Sequence, residues 1–388
     1  MDAHAEIARA IDSYRDKVVA LSHEIHERPE LKFQEHFAAG LLSKAAAELG
    51  LEVEREVGGL KTAFRAEFGA KGPAVAILAE YDALPNGHSC GHNLIAGAAL
   101  SAVAGLKSIA GKLPGRVVFL GTPAEEGGGG KIILIDQGAL RGVDAAMMAH
   151  PSDSEYCTMP ALATQHLKLT FHGHGAHAAL APWDGSSALA AVIQTFQSVD
   201  AMRLHLRDGS RIHGIITDGG QAVNIIPERA ECLFLARGKS SKYAKEMGAR
   251  VIRCAEGAAM ATGTRLEHVV EGGYKNLINN LSMAHRYAAH TEALGTKSVE
   301  APENTPTGST DMGDVSHVMP AIHPSFAISR RGEGNCHEDA FVAHADSQRG
   351  YDAMIRVAKA MAMTAYDLLA EPELLSAAKK EFEARKES

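Results

Sequence analysis

Short, almost continuously apolar segments alternate with helical segments in the first 150 residues of the chain. The apolar segments include AVAILAEY at 74–81 and RVVFLG at 116–121, and a helix-length segment at 93–110 separates them. Strands that are apolar at successive positions are buried on both faces, which is typical of a parallel sheet flanked by helices. The pattern therefore predicts an α/β fold with a mostly parallel sheet, in which a ligand site lies at the carboxyl ends of the strands.

The middle of the chain has a different pattern. Between about 164 and 270 the apolar periodicity predicts the order β-α-β-β-α-β, which is typical of a ferredoxin-like α+β domain. The α/β pattern resumes after this segment. The sequence thus predicts a main domain formed by 1–162 and 274–388, with an inserted domain at 163–273.

Composition and charge exclude several classes of partner. The 388-residue chain has a net charge of −8, whereas binding to nucleic acid or an anionic membrane requires a basic face. The amino-terminal residues lack the pattern of a secretory signal, and the longest apolar run, at 94–106, is too short to span a bilayer. The five cysteines are odd in number and widely spaced, which predicts free thiols in a reducing compartment. We expect a cytoplasmic protein that binds neither nucleic acid nor membrane.

Side chains that can bind a metal cluster directly after the predicted strands. A catalytic metal site needs nitrogen, sulfur or carboxylate ligands and an open coordination position, and a second nearby metal can hold the substrate oxygen. Such a pair of ions needs about five protein ligands from several loops. The candidates are Cys90, His92, one of the pair Glu125 and Glu126, His150, and a carboxy-terminal histidine, best His337.

The adjacent carboxylates Glu125 and Glu126 make chemical sense if their roles differ. One would bind the metals, and the other would take a proton from the activated water and pass it to the leaving nitrogen, a contribution of roughly 10²–10⁴-fold. Taken singly, each signal has a structural alternative, because a Glu-Glu pair is commonly a solvated surface and a Cys-Gly-His segment can lie in a core. Their joint occurrence at strand ends favours the metal site.

The ordered set of motifs resembles the dinuclear metallopeptidase family that includes carboxypeptidase G, aminoacylase and the auxin-conjugate amidohydrolases. Within it, CGHN and STDMGDVSHVMPAIHP look most like the p-aminobenzoyl-glutamate hydrolase and β-alanyl-dipeptidase branch. The resemblance covers nearly the whole chain. Its motifs are EIHERPELKFQE, AEYDALP, HSCGHN, GTPAEEGGGG, HGHGAHAA, GGQAVNIIPE and NCHEDAF.

This resemblance implies a role for each matching residue. Glu125 would be the general base and acid, and His177 would reach across a dimer to polarise the scissile carbonyl in the partner's active site. Asn224 and Arg237 would hold the substrate carboxylate, and the inserted domain would be the dimerisation lid. The implied metal ligands are Cys90, His92, Glu126, His150 and His337.

The chain departs from the carboxypeptidase G group at Glu80-Tyr-Asp82, where that group has His-x-Asp. We therefore expect Asp82 to orient a metal ligand without binding the metal itself. The role of Glu80 stays open. Spacing also leaves open whether Cys90 bridges both metals.

Together these features predict a metal-dependent amidohydrolase. It would use a metal-bound hydroxide to cleave the amide bond of an N-acyl or N-aroyl amino acid or of a dipeptide, with two divalent ions per chain. The thiolate favours zinc and the carboxylates tolerate manganese. Two alternatives remain: release of ammonia from an aromatic amine at the same site, and a non-catalytic homologue that binds metal or ligand, which the intact Glu125 disfavours.

Overall fold

The computed structural model describes residues 2–386, which divide into two compact units. The first unit comprises the residues up to Pro160, Leu277–Thr307 and the residues from Asp314 onward. The second unit comprises Ala161–Asn276 and Gly308–Gly313. The predicted inserted segment thus falls within the second unit.

The short segment Gly308–Gly313 differs from the predicted boundaries, which assign it to the main domain. Backbone contacts within the second unit explain its position. The Leu162 N–H donates to the Gly308 carbonyl at 2.8 Å, and a Cβ on Gly313 would lie 1.9 Å from the Lys275 carbonyl oxygen. A segment of this length carries no periodicity of its own, so the sequence pattern could not assign it.

The strands of the described residues belong to three sheets. In chain order they are β1 (Val53–Arg55), β2 (Phe64–Gly69), β3 (Ala74–Ala79), β4 (Arg116–Gly121), β5 (Ala145–Met147), β6 (His150–Ser152), β7 (Tyr156–Thr158), β8 (Ala163–His172), β9 (Arg211–Asp218), β10 (Arg229–Gly238), β11 (Arg265–Gly272), β12 (Val299–Glu300), β13 (Ala321–Ile322) and β14 (Ser325–Ala327).

The α-helices connect and cover these sheets. Among residues 2–386, no helix combines the length and apolar composition that crossing a membrane requires. In chain order the helices are α1 (Ala3–His26), α2 (His36–Glu48), α3 (His92–Ser108), α4 (Gly130–Asp136), α5 (Ala188–Met202), α6 (Ser241–Thr262), α7 (Leu281–Ala293), α8 (Met312–Ser316), α9 (Asp339–Ala345), α10 (Gln348–Ala370) and α11 (Pro372–Lys386).

The main sheet of the first unit has the strand order β1-β2-β4-β3-β5-β13. Strands β4, β3, β5 and β13 are parallel neighbours, while β1 and β2 form an antiparallel edge. All six residues of β3 are buried, as expected for a central strand covered on both faces. The predicted α/β class with a mostly parallel sheet is confirmed.

Helices of the first unit pack closely because small residues line their contacts. Helix α3 packs against α1 and α10. A Cβ on Gly97 would lie 2.3 Å from the Met354 sulfur, and one on Gly105 would lie 2.7 Å from Ile11. The apolar face of α1, which includes Ile11 and Val18, is buried. This packing holds α3, whose first residue is His92, against the core.

A small sheet with the order β12-β7-β14-β6 was not predicted. Its strands have only two or three residues, too few to show an alternating pattern. Strand β6 begins at His150 and pairs in parallel with β14, with His150 opposite Ser325. Strand β5 therefore ends at Met147, and His150 opens a separate strand.

The second unit contains the predicted β-α-β-β-α-β order. Its sheet has the strand order β11-β8-β10-β9, and every neighbouring pair is antiparallel. Helices α5 and α6 pack on this sheet around a separate core that includes Leu167, Phe171, Val192, Phe234 and Val251. This topology is that of a ferredoxin-like domain.

Candidate metal centre

Three loops with predicted metal ligands begin at the carboxyl ends of neighbouring parallel strands. Strand β3 ends at Ala79, just before Glu80; β4 ends at Gly121, before the glutamate pair; and β5 ends at Met147, before His150. Because β3 lies between β4 and β5 and runs parallel to both, these loops leave the sheet at the same edge. Ligand sites of open α/β sheets form at this edge.

Gly91 determines the shape of the Cys-Gly-His segment. Its φ of 69° lies in the left-handed region, and a Cβ at this position would be 2.9 Å from the Pro151 Cγ. Only glycine adopts this conformation at low cost and also leaves room for the neighbouring chain. The turn holds Cys90 and His92 beside the segment that follows His150.

Asp82 links two of the predicted ligands. The His92 Nδ1–H donates to the backbone carbonyl of Asp82 at 2.8 Å and to its carboxylate at 3.1 Å. The other carboxylate oxygen accepts the Glu126 backbone N–H at 2.8 Å. Burial opposes ionisation of Asp82, but the hydrogen bond and charge of His92 outweigh it and hold the pKa below its usual range. Asp82 thus contacts both the His92 side chain and the Glu126 backbone.

The hydrogen bonds of His92 and His150 leave Nε2 of each ring as the available ligand atom. His150 Nδ1–H donates to the Pro151 carbonyl at 2.7 Å, as His92 Nδ1–H does to Asp82. A histidine that donates through Nδ1 keeps a lone pair on Nε2 for a metal. The two rings meet edge to face, with centroids 5.6 Å apart.

The predicted donor atoms converge. Cys90, His92 and Glu126 offer donor atoms within 4.8 Å of one another, and His150 lies within the same distance of Cys90 and of His92. His92 Nε2 and Glu126 Oε1 are buried without a hydrogen-bond partner among the described residues. Because buried polar atoms without partners are costly, and because thiol, imidazole and carboxylate suit a divalent transition metal, these residues fit the implied ions.

Sequence reasoning missed Cys336. Donor atoms of Cys336, Cys90 and His150 lie within 4.8 Å of one another. The neighbouring Cys90 thiol and the nearby histidines hold the pKa of Cys336 below its usual range, while the neighbouring Cys336 and burial raise the pKa of Cys90. The motif NCHEDAF contained this thiol beside the predicted ligand, but sequence spacing did not show that it reaches the cluster.

The predicted ligand His337 lies at the rim of the cluster. Its side chain is 64% exposed, and its Nε2 lies 3.7 Å from Glu126 Oε1. Its backbone is left-handed, with a φ of 73°. This conformation is uncommon for a residue other than glycine and is often found at functional sites.

Glu80, whose role the sequence left open, forms a buried ion pair with Lys131. Their side chains are 0% and 1% exposed, and the second Glu80 oxygen lies 3.6 Å from His92 Nε2. Burial raises the pKa of the Glu80 carboxyl, but the charges of Lys131 and His92 lower it by a larger amount. The pKa of Glu80 therefore lies below its usual value. Sequence reasoning missed Lys131, although a single basic residue opening the apolar helix GKIILID was a signal.

Glu35 holds the loop that precedes Glu125. Its carboxylate accepts the Ala124 backbone N–H at 2.8 Å and the Thr62 hydroxyl at 2.9 Å. Ala124 is left-handed, with a φ of 60°, and Glu125 follows with a buried side chain. Burial raises the pKa of Glu35 to about 7. The sequence did not single out Glu35, because a supporting carboxylate has no ligand spacing.

His177 and Asn224 belong to the second unit and lie on adjacent segments. The N–H of Ala178 donates to the Asn224 carbonyl at 2.9 Å. His177 Nδ1 accepts the backbone N–H groups of the second and third residues after it, at 3.3 and 3.2 Å. The proton of the neutral ring therefore resides on Nε2, which can donate to an oxygen.

Arg237 also belongs to the second unit, on strand β10. Its guanidinium donates to the Ser309 hydroxyl at 3.0 Å. The side chain is half-buried, and burial lowers its pKa. A partly desolvated guanidinium is suited to binding a carboxylate.

Comparisons with known proteins agree with this fold and show the family to which the chain belongs. The sequence model of peptidase family M20/M25/M40 matches residues 76–360. The chain is 39% identical to an Xaa-Arg dipeptidase of Mus musculus over 399 residues, covering 97% of this chain and 91% of that protein. It is 28% identical to one of the subunits of the Escherichia coli p-aminobenzoyl-glutamate hydrolase, covering 96% and 93%. A Bacillus subtilis crystal structure, described as a dinuclear metal-binding peptidase of the M20 family, aligns with a TM-score of 0.74 and 20% identity, covering 92% and 99%.

The fold and the site define a metal-dependent hydrolase of amide bonds. The chain belongs to peptidase family M20/M25/M40. The prediction of an amidohydrolase or metallopeptidase is thereby confirmed, and the alternative of a non-catalytic homologue is set aside.

Proposed function

We propose that this enzyme hydrolyses dipeptides and related N-acyl amino acids that carry a free α-carboxylate. The main support for the proposal is that donor atoms of Cys90, His92 and Glu126 lie close together. The His92 Nε2 and Glu126 Oε1 atoms are buried without hydrogen-bond partners among the described residues, and the buried Glu125 is the neighbour of Glu126 in the chain. Similarity to a dipeptidase over nearly the full length supports a dipeptide substrate. Similarity to a p-aminobenzoyl-glutamate hydrolase supports a leaving amine that carries a carboxylate.

Two divalent ions, zinc or manganese, would occupy the site. When bound, they lower the pKa of water and polarise the scissile carbonyl. Asp82 orients His92 and the Glu126 backbone for this purpose. The proposed ligands are Cys90, His92, Glu126, His150 and His337.

Proton transfer would be the task of Glu125. Its carboxylate accepts a proton from the attacking water and delivers it to the leaving nitrogen. The left-handed Ala124, tied to Glu35, restricts the position of this carboxylate. A base that is held in place in this way is already oriented before the substrate binds.

Substrate binding would involve the second unit. His177 would donate its Nε2–H to the scissile carbonyl oxygen, an interaction worth about 3–4 kcal/mol where a comparable donor has been removed. Asn224 and Arg237 would hold the substrate carboxylate.

In this proposal His177 serves the active site of the partner in a homodimer formed through the second unit. The sheet of that unit has β9 and β11 at its edges. Strand β9 exposes 62% of Ile215 and 45% of Ile216. An exposed apolar edge strand is prone to pairing with another chain, which supports dimerisation there.

We further infer a cytoplasmic location. The five cysteines are free thiols, as expected in a reducing compartment. The net charge of −8 is consistent with a small-molecule substrate and with neither nucleic acid nor an anionic membrane as partner.

A substrate panel on metal-reconstituted enzyme tests the proposal. The panel comprises Xaa-Arg and other dipeptides, N-acetyl amino acids, p-aminobenzoyl-glutamate and arylamines, with release of amino acid and of ammonia measured separately. We expect cleavage of carboxylate-bearing substrates, and a loss of at least about 10²-fold in kcat/KM for the same dipeptide with an amidated carboxyl terminus. Chelation should abolish activity, and added metal should restore it. Ammonia release from arylamines with no cleavage of any peptide or acyl amino acid would overturn the proposal.

A further inference from the structure

Cys336 lies among the proposed metal ligands, but the ligand set proposed above does not include it. Donor atoms of Cys336, Cys90 and His150 lie within 4.8 Å of one another. We propose that Cys336 is a metal ligand that forms, with Cys90 and His150, a sulfur-rich subsite selecting zinc over manganese at one of the two metal positions. This inference rests on the proposed metal-dependent function.

The backbone around Cys336 is fixed against the loop that carries Cys90. The N–H of His337 donates to the Ser89 carbonyl at 2.9 Å, and the Asn86 amide donates to the Asp339 carboxylate at 2.9 Å. The first of these bonds joins the residue after Cys336 to the residue before Cys90. The fold therefore brings the two thiols together through their neighbours in the chain.

The thiol of Cys336 is also directed toward the turn that supports His150. Its sulfur lies 3.6 Å from the Pro151 carbonyl, the oxygen that fixes the His150 tautomer through Nδ1. His150 Nε2 and both sulfurs are thus available as one donor set. On metal binding each thiol loses its proton to solvent and binds as a thiolate.

The donor set of Cys90, Cys336 and His150 favours zinc over manganese. Two thiolates and one imidazole form a catalytic zinc site in other enzymes, with the fourth position open to water or substrate. Soft sulfur ligands favour zinc, whereas manganese prefers carboxylate, carbonyl and water oxygens. A site built only from the ligands proposed above contains one sulfur and accepts either metal. A second sulfur shifts one position toward zinc.

Cobalt substitution tests the proposal without relying on activity. Apoprotein prepared by chelation under reducing conditions would be loaded with Co²⁺, and the near-ultraviolet sulfur-to-cobalt absorption compared among wild type, Cys336→Ser and Cys90→Ser. We expect each variant to lose a substantial part of this absorption, and Cys336→Ser to weaken zinc binding by about tenfold or more while manganese binding changes less. Cys254→Ser, a partly exposed cysteine of the second unit, is the matched control.

A second measurement uses the wild-type protein and so does not depend on how a variant folds. Zinc should protect Cys336 from alkylation by iodoacetamide, whereas labelling of Cys254, which is also half-buried, should not respond to zinc. Peptide mass spectrometry reads both sites. Equal labelling of Cys336 with and without zinc would overturn the inference, as would a Cys90–Cys336 disulfide in the zinc-loaded protein.

The two proposals fail in different ways. If wild type binds two ions and hydrolyses amides while Cys336→Ser keeps the full cobalt absorption and zinc affinity, only the inference about Cys336 is wrong. If wild type binds no cobalt and no zinc, the metal-dependent function proposed above is wrong as well.

Discussion

At the scale of single residues, three buried carboxylates surround the proposed ligands, each with a different partner. Asp82 accepts from His92 and from the Glu126 backbone, Glu80 pairs with Lys131, and Glu35 holds the loop before Glu125 through backbone and hydroxyl donors. Each partner compensates the cost of burying a carboxylate. These supporting contacts restrict the positions of the residues that would bind metal or transfer protons.

Glu125→Gln should lower turnover by about 10²-fold or more, because glutamine cannot accept and return the proton. Metal content should remain near that of wild type, since Glu125 is not a proposed ligand. Steady-state kinetics and elemental analysis measure the two effects. Glu126→Gln is the matched control and should instead lower metal content. A Glu125→Gln enzyme with full metal and unchanged turnover would refute the assigned role.

Glu35 should give the protein a distinctive dependence of stability on pH. Its folded-state pKa of about 7 lies above the ordinary value of 4.5, so the folded state binds this proton more tightly than the unfolded state. Below about pH 4.5 the protonated Glu35 contributes its full stabilisation of the folded state. As the pH rises from 4.5 toward 7, the free energy of unfolding should fall by about 3 kcal/mol because this contribution is lost. Glu35→Gln should remove this slope.

Denaturant unfolding of wild type and Glu35→Gln between pH 4.5 and 7.5 measures that difference. The exposed Glu54 provides a control, because Glu54→Gln should leave the slope unchanged. If the stability curves of wild type and Glu35→Gln run parallel across the window, Glu35 does not titrate as described.

At the scale of elements, the site depends on where strands end and how helices begin. The carboxyl ends of β3, β4 and β5 lie at one edge because these strands are parallel neighbours. Helix α3 begins at His92 after a left-handed glycine, and β6 begins at His150. A change of one residue in any of these boundaries would move a ligand away from the others.

Gly91→Ala tests the boundary of α3. Alanine at a left-handed position costs about 1–2 kcal/mol, and its Cβ would also lie 2.9 Å from Pro151. We expect lower thermal stability and weaker metal binding. Gly263→Ala is the matched control, since Gly263 has a φ of 65° but no atom within 4 Å of its Cβ position. It should lose stability without losing metal affinity, and equal metal affinity in both variants would contradict the role of Gly91.

At the scale of the whole molecule, the chain builds two units with separate cores. The first contains every proposed metal ligand, and the second contains His177, Asn224 and Arg237. The proposal that His177 serves the partner's active site predicts that variants in different units can complement each other in a dimer.

Mixing His177→Ala with Glu125→Gln subunits should restore activity. Only in heterodimers would a site with an intact Glu125 receive an intact His177, so random exchange should give about a quarter of wild-type turnover. Activity after subunit exchange measures the effect. The control mixes Glu125→Gln with the double variant, which contains no intact Glu125. Absence of rescue, with exchange verified, would argue against a histidine acting across the dimer.

Local pattern explains why much of this protein could be predicted. The apolar strands, the amphipathic α1 and the β-α-β-β-α-β order each depend on residues close together in the chain, so periodicity determines them. The Cys-Gly-His segment and the glutamate pair could be assigned to loops because both follow strands that the pattern defines. The class of chemistry followed from the donor types of these side chains.

Only the tertiary structure placed the remaining contacts. Cys336 reaches Cys90, Lys131 pairs with Glu80, and Glu35 holds Ala124 across separations of 51 to 246 residues. Such contacts leave no periodic trace, because they depend on which loops meet once the sheet has formed. The sequence by itself thus determined the longer strands, the two-domain organisation and the kind of donor atoms. Their mutual distances, and the identity of the buried partners that orient them, were decided by packing, since only the folded chain brings distant loops to a single edge of the sheet.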